Sequence, residues 1–308
     1  MRGGSQSRPA SPSGDDVASC LELAFGLRGD SALDMFTVAL RVHSLNCGFL
    51  QPRLESIRHR ISPWWPPEGV PCRCWLVETG AGLTLVDTGI GLIDIALPWR
   101  RLGPKWLALF ETPHNPEATA AHQIRKRGFA ISDVRHVIIT HLHSEHTGGL
   151  SDFPEACVHI NSRAIEIVKS NVGTSWRYRR QHWAHNPQWE PWQDGDIPWF
   201  GMRGVQRIVG LPEDILLVPL PGHDLGHAGV AVRTERGWCL HAGDARSPIR
   251  PHRALPDLLG FGADASLFGS SFTRRRLMSL AEHHGVRIVG SHDIAESTSD
   301  QQDSESLR

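Results

Sequence analysis

Tyrosine is almost missing from this sequence: one residue, Tyr178, stands against eighteen histidines in 308 positions. Charge of one sign is missing too. The 32 Lys and Arg are matched by 33 Asp and Glu, for a net charge of -1, which excludes a general attraction to nucleic acid or to an anionic membrane. No apolar run approaches the ~18 residues of a membrane span. The six cysteines, Cys20, Cys47, Cys72, Cys74, Cys157 and Cys239, lack framework spacing. A chain this long needs no disulfide staples, so reduced thiols and a cytoplasmic location are expected. Cys72 and Cys74 are read as alternation in a strand ahead of half a metal clamp. The start, MRGGSQSRPASPSGDD, has neither the apolar stretch nor the cleavage site of a secretory signal.

What is present is enough apolar content, 40%, for a sizeable core, and a histidine inventory that raises the prior for metal chemistry. Residues 1–34 are expected to be a disordered or accessory extension, 35–294 the main domain, and 295–308 a disordered tail. Thr37–Leu45 reads as a strand, and CRCWLVETGAGLTLVDTG as a hairpin ending at Asp87. A helix is expected to start at Asn115 as cap, with Pro116 first, Ala120, Ala121 and Ile124 on one face, and Gly128 at its end. VRHVIIT is a buried strand, followed by CVHIN, a helix over about 162–170, DILLVPLPGH, a second hairpin of AGVAVRT and WCLHAGD, a helix through TRRRLMSLAEHHG, and VRIVGSH. Two similar halves of mixed strands and helices suggest two packed sheets with helices outside.

Several of these strands end in His or Asp, where a scaffold gathers a site. THLHSEHTGG places His141, His143 and His146 within six positions, with Glu145 among them. If the chain stays extended, His141 and His143 point the same way while Glu145 and His146 turn the corner, and Gly148 and Gly149 permit the tight turn.

With these residues in view, the chain resembles the metallo-β-lactamase superfamily, with a motif order similar to its lactonases and glyoxalase II members. HLHSEH resembles the H-x-H-x-D-H motif, PLPGHDLGH the later histidine loop, HAGD the bridging aspartate, GSHD the final histidine and LVDTG the early aspartate. The resemblance implies an α+β fold, a four-layer αββα sandwich with a two-metal site along one edge. It implies that His141, His143 and His223 hold one metal, that Glu145, His146 and His292 hold the other, and that Asp244 bridges them or serves the second. Two Zn2+ suit these ligands, with Fe or Mn open by ligand type. Asp87 and His227 are expected to support the ligands from behind. His241 and Asp293 are read as neighbours of ligands, and His182, His185, His283 and His284 as packing or solvated histidines. Glu145 departs from the family's aspartate, and its extra methylene moves the carboxylate outward by ~1.5 Å.

The family hosts many reactions, so the fold does not select one. Only sixteen residues follow His292, too few for the helical substrate domain of glyoxalase II. Near-zero net charge argues against the RNA-processing members, and Arg177–Arg180 reads as a solvated helix face. Lactonases of the family often carry a tyrosine three positions after the bridging aspartate. Here that position is Ser247, with Arg246 the nearest substitute. A Trp-rich insertion over 171–212 carries Trp176, Trp183, Trp189, Trp192 and Trp199, and either lines an apolar substrate pocket, with Trp183 and Trp189 foremost, or seals the segment onto the sandwich.

The function expected is therefore a metal-dependent hydrolase acting on a carboxylic ester, lactone or related acyl bond, with Glu145 and Asp244 as its catalytic carboxylates and activated water as the nucleophile. A phosphodiesterase, a β-lactamase or a non-catalytic metal-binding protein are the alternatives. The partner expected is a small, partly apolar substrate, with neither nucleic acid nor membrane involved and a homodimer left open.

Overall fold

A computed structural model describes residues 40–55, 57–58, 65–170, 176–246 and 267–294. The expectations for residues 1–34, for the first positions of the 37–45 strand, for residues 171–175, for Ser247 and for the 295–308 tail lie outside the described residues.

The first sheet contains β1 (Arg41–Leu50), β2 (Val70–Thr79), β3 (Gly82–Val86), β4 (Val134–Ile138), β5 (Cys157–Asn161) and β6 (Gln188–Trp192), in that spatial order. The first three strands form an antiparallel meander, and β3 to β6 run parallel. A small ribbon follows, β7 (Gly195–Trp199) with β8 (Met202–Gly204). The second sheet is built from β9 (Gln206–Arg207), β10 (Ile215–Pro219), β11 (Ala228–Thr234), β12 (Gly237–His241) and β13 (Arg287–Val289), in the order β13-β12-β11-β10-β9. The helices are α1 (Leu92–Ala96), α2 (Pro98–Arg101), α3 (Pro104–Leu109), α4 (Ala120–Lys126), α5 (Ser144–Thr147), α6 (Ser162–Lys169) and α7 (Leu267–His284).

The alternation of side chains along a strand explains the layers. Trp75 and Val77 of β2 meet Ile215 and Leu217 of β10, Val230 and Val232 of β11 and Cys239 of β12 between the sheets. The intervening Cys74 and Leu76 face the other way, under Ala120, Ala121 and Ile124 of α4. On the second sheet Leu216, Val218, Ala231 and Leu240 face outward and pack on Leu277 and Leu280 of α7. Helix, sheet, sheet and helix thus lie in sequence. Because both faces are covered, these strands read as continuous apolar runs, and each fully buried large side chain contributes roughly 1.5–3 kcal/mol.

Three expectations change in detail. The first strand continues past Leu45 to Leu50 by way of a bulge between Asn46 and Phe49, where Gly48 takes φ 121° against Ile90. Asn115 caps only a short 3-10 turn, Pro116–Ala118; the cap of α4 itself is Thr119, whose hydroxyl accepts from the His122 amide. The segment 92–109, not read as helical, folds into α1, α2 and α3, with Pro98 and Pro104 each in the first turn, where proline's missing N–H costs nothing.

The Trp-rich segment is woven into the sandwich. Residues 188–192 are the edge strand β6, paired in register with β5. Trp192 enters the cluster between the sheets, Trp199 the cluster under α7, and Trp176 a cluster with Trp65, Ile90 and Trp106. No helix among the described residues is long and apolar enough to cross a membrane.

Candidate metal centre

Strands β3, β4, β10, β12 and β13 all end at the same edge, and the loops after them deliver Asp87, His141 to His146, His223, Asp244 and His292. His143 ends the extended stretch and precedes the single turn of α5, so that His141 and His143 project together while Glu145 and His146 lie on the turn. Gly148 and Gly149 serve by being small. A Cβ on Gly148 would sit 2.0 Å from Asp94 Oδ2, and one on Gly149 would sit 2.7 Å from the Thr88 carbonyl. Neither glycine adopts positive φ.

Two groups of ligand atoms form around the two oxygens of Asp244. Nδ1 of His143 lies 3.0 Å from Nε2 of His141 and 3.3 Å from Nε2 of His223. Asp244 Oδ2 is 3.3 Å from that His223 nitrogen and 3.9 Å from that of His141. Asp244 Oδ1 lies 3.4 Å from Nε2 of both His146 and His292, and Glu145 joins this second group. Within each group of four residues the ligand atoms all lie within 4.8 Å of one another. Nitrogens about 3.3 Å apart are what two imidazoles on one tetrahedral ion at ~2.0–2.1 Å present. His146 Nε2 and Asp244 Oδ1 are buried without a hydrogen-bond partner, a costly state that a cation between them relieves. The donor set therefore fits a pair of divalent metal ions.

Three of these imidazoles, those of His141, His146 and His292, are held on their far side. His146 Nδ1 donates to Asp87 Oδ2 at 2.8 Å, and the same carboxylate accepts from the Thr140 amide and hydroxyl, both at 2.8 Å. The Thr140 hydroxyl lies 3.1 Å from His141 Nδ1. His292 Nδ1 donates to the Pro71 carbonyl at 2.7 Å. His227 acts differently from expectation. Its Nδ1 donates to the Leu220 carbonyl, leaving Nε2 to accept the Asp244 amide at 3.1 Å, so it holds the backbone of Asp244 rather than one of the clustered imidazoles.

The electrostatics agree with this wiring. Burial pushes His141 and His143 well below the ordinary histidine range, helped by the neighbouring imidazoles, so both present lone pairs. Burial would also lower His146, but the Asp87 and Asp244 carboxylates reverse this and raise it well above its usual value. Burial pushes the Asp244 carboxyl up, yet His292, His146 and His223 together hold it well below the carboxylate range.

The other expected residues sort plainly. His241 packs edge-on against Trp75, and its Nε2 lies 3.3 Å from the Arg73 carbonyl. His182 is buried between Thr147 and Asp94. Cys72 and Cys74 stay free thiols in apolar clusters. Arg246 turns away from the ligands to the Ile288 carbonyl and to Asp293, 3.2 Å away. Trp183 is buried against Leu142, Ile160, Ala164 and Ile165, and Trp189 packs on that cluster and on the one under α4. Both therefore occupy packing positions.

Arg177–Arg179 form no helix and are half-buried. The Ser144 hydroxyl donates to the Arg177 carbonyl at 3.0 Å. The Tyr178 ring lies 5.7 Å from that of His143, and its hydroxyl donates to Asp224, whose other oxygen is 4.0 Å from His143 Nε2. Tyr178 and Asp224 were not read as site residues. The signal available was that the chain's single tyrosine falls among three arginines, Arg177, Arg179 and Arg180.

A profile of the metallo-β-lactamase superfamily matches residues 67–292, which span every residue of the two ligand groups. The chain belongs to the metallo-β-lactamase superfamily. Within it, a probable metallo-hydrolase of Mycobacterium tuberculosis is 38% identical over 213 residues, 67% of this chain. The match spans 62% of that relative's length, less than two thirds. An N-acyl homoserine lactonase of Rhizobium johnstonii is 25% identical over 83% of this chain and 94% of its own. Among solved structures, an N-acyl homoserine lactone hydrolase with N-hexanoyl-L-homoserine at its catalytic metal centre superposes with a TM-score of 0.60 at 19% identity, over 88% of this chain and 97% of that one. A dizinc quorum-quenching lactonase in complex with the same kind of product gives 0.54 at 16% identity, over 82% and 87%. At these identities the structural likeness establishes the metallo-β-lactamase fold.

Proposed function

We propose that this protein is a metal-dependent hydrolase that cleaves a carboxylic ester, lactone or related acyl bond in a small, partly apolar substrate. The observation that carries the reading is the division of donors around one carboxylate. His141, His143 and His223 gather at Asp244 Oδ2, while His146, His292 and Glu145 gather at Oδ1. A pair of divalent ions held there, Zn2+ by ligand preference, supplies a water of lowered pKa and a Lewis acid for the carbonyl oxygen.

The chain's own residues do the rest. Both oxygens of Asp244 are directed at imidazole nitrogens, so its part is to hold and to orient. Glu145, half-buried on α5, is the carboxylate assigned to take the proton of the attacking water and pass it to the departing alkoxide oxygen. Tyr178 and Asp224 brace the ring of His143 from outside. Similarity to lactonases over most of their length supports the acyl assignment over phosphodiester or β-lactam cleavage.

Turnover of a panel of esters, lactones, a phosphodiester and a β-lactam, measured together with metal content, tests the proposal. Hydrolysis of an ester or lactone that disappears on chelation is the expected result. Turnover confined to the phosphodiester or the β-lactam replaces the acyl reading. Bound metal without turnover of any of them makes the protein a non-catalytic member of the family.

A further inference from the structure

A second convergence of metal-binding side chains lies on the inner face of the first sheet, away from the ligands described above. His136 on β4 is the register partner of Cys157 on β5, and His159 follows two residues later on the same face. The residues between them, Val137 and Val158, point the opposite way into the cluster under α4. Nδ1 of His136 lies 2.9 Å from Nε2 of His159, the two rings are stacked with centroids 5.2 Å apart, and the Cys157 sulfur completes a group whose ligand atoms all fall within 4.8 Å. His136 and His141 are five positions apart in the chain, roughly 17 Å at the rise of an extended strand. The two places are therefore distinct.

We propose that His136, Cys157 and His159 form an additional, structural binding site for a zinc-like divalent ion. Two imidazoles and a thiolate are a borderline-soft set that suits Zn2+ and Co2+ and disfavours Mg2+ and Ca2+. Burial holds both histidines below their ordinary range, His159 at about 4, so each has a lone pair to give at neutral pH. His136 and Cys157 are only half-buried, which leaves an ion a way in. Glu190 on β6 stands in register with His159, on the same face and exposed, and is the side chain placed to close the fourth position. The Cys157 thiol, raised by burial and by Glu190, must lose its proton to bind, so the ion displaces one proton into solvent. An ion here ties together three parallel strands, β4, β5 and β6, which are far apart in sequence.

Cobalt reports this site without interference, because the ligand groups around Asp244 contain no thiol. Full-length protein titrated with Co2+ should develop a thiolate-to-cobalt charge-transfer band. The band should persist in His141→Ala and vanish in Cys157→Ser and in His159→Ala. Glu190→Gln should keep the band and weaken binding. A measurement on the unaltered chain guards against variants that fail to fold: alkylation of Cys157, mapped by mass spectrometry, should slow by about tenfold or more when Zn2+ is added, since a ligated thiolate is a poor nucleophile. Absence of the band in the unaltered protein, its survival in Cys157→Ser, or alkylation of Cys157 at one rate with and without Zn2+ would each overturn the proposal.

Discussion

Asp87 Oδ2 accepts the Nδ1 proton of His146 at 2.8 Å, and neither side chain reaches solvent. Asp87 holds this position with φ 55°, a conformation uncommon outside glycine, and it simultaneously anchors Thr140, the residue before His141. One carboxylate therefore aims a ligand of each group. Asp87→Asn should reduce metal affinity by about 10- to 100-fold, the usual cost of losing a partner behind a ligand histidine. Competition against a chelator of known affinity measures this, and unchanged affinity would remove Asp87 from the site.

Glu145→Ala is expected to lose one metal of two, because Glu145 belongs only to the group that includes His146 and His292. Glu145→Asp should keep both metals but shift turnover by tenfold or so, since ~1.4 kcal/mol of barrier is a factor of ten. Titrating metal into the apoprotein of each variant, with activity followed at each addition, reads both effects. Curves identical to those of the unaltered protein would make Glu145 a bystander.

Trp183→Ala should act on stability. The indole fills a cluster with Leu142, Ile160, Ala164 and Ile165, and its removal should cost about 3–5 kcal/mol, seen as a lower denaturant midpoint. Metal stoichiometry and the ratio of KM for long- and short-chain acyl substrates should not move. A change in that ratio without loss of stability would return Trp183 to the substrate pocket.

Acid sensitivity of the metal-free protein follows from histidines buried in neutral form. Burial holds His159 at about 4 and His227 at about 3, against an unfolded value near 6.5. Between pH 6.5 and about 4 the unfolded chain binds protons that the folded chain does not, so stability falls as pH falls through that window and is intact above it. For His159 the loss is on the order of 2–3 kcal/mol. Denaturant melts from pH 7 to 4.5 should show a shallower decline in His159→Gln.

The residues of the two donor groups were legible because each combines a chemically distinctive side chain with a strand end: His141, His223, Asp244 and His292 all follow a recognisable apolar run. The layers were legible because side chains alternate. What escaped notice depends on tertiary contact. The continuation of β1 needs Gly48 to face Ile90, and nothing local announces that bulge. The helices of 92–109 are at most six residues long, too short for a period to show. The tryptophans looked alike in sequence, yet each belongs to a particular cluster, a matter of which strand β6 joins. Tyr178 reaches His143 because its segment crosses over α5, and no spacing rule connects positions 143, 178 and 224.

The bond from His292 Nδ1 to the Pro71 carbonyl joins two points 221 residues apart in the chain. Synthesis runs from the N-terminus, so the group around Asp244 Oδ2 has all its donors once residue 244 has been made, whereas the group around Oδ1 waits 48 residues more for its last one. The bond to β2 thus staples the last strand end of the second sheet to the first sheet, so the position of His292 depends on the two sheets being packed together.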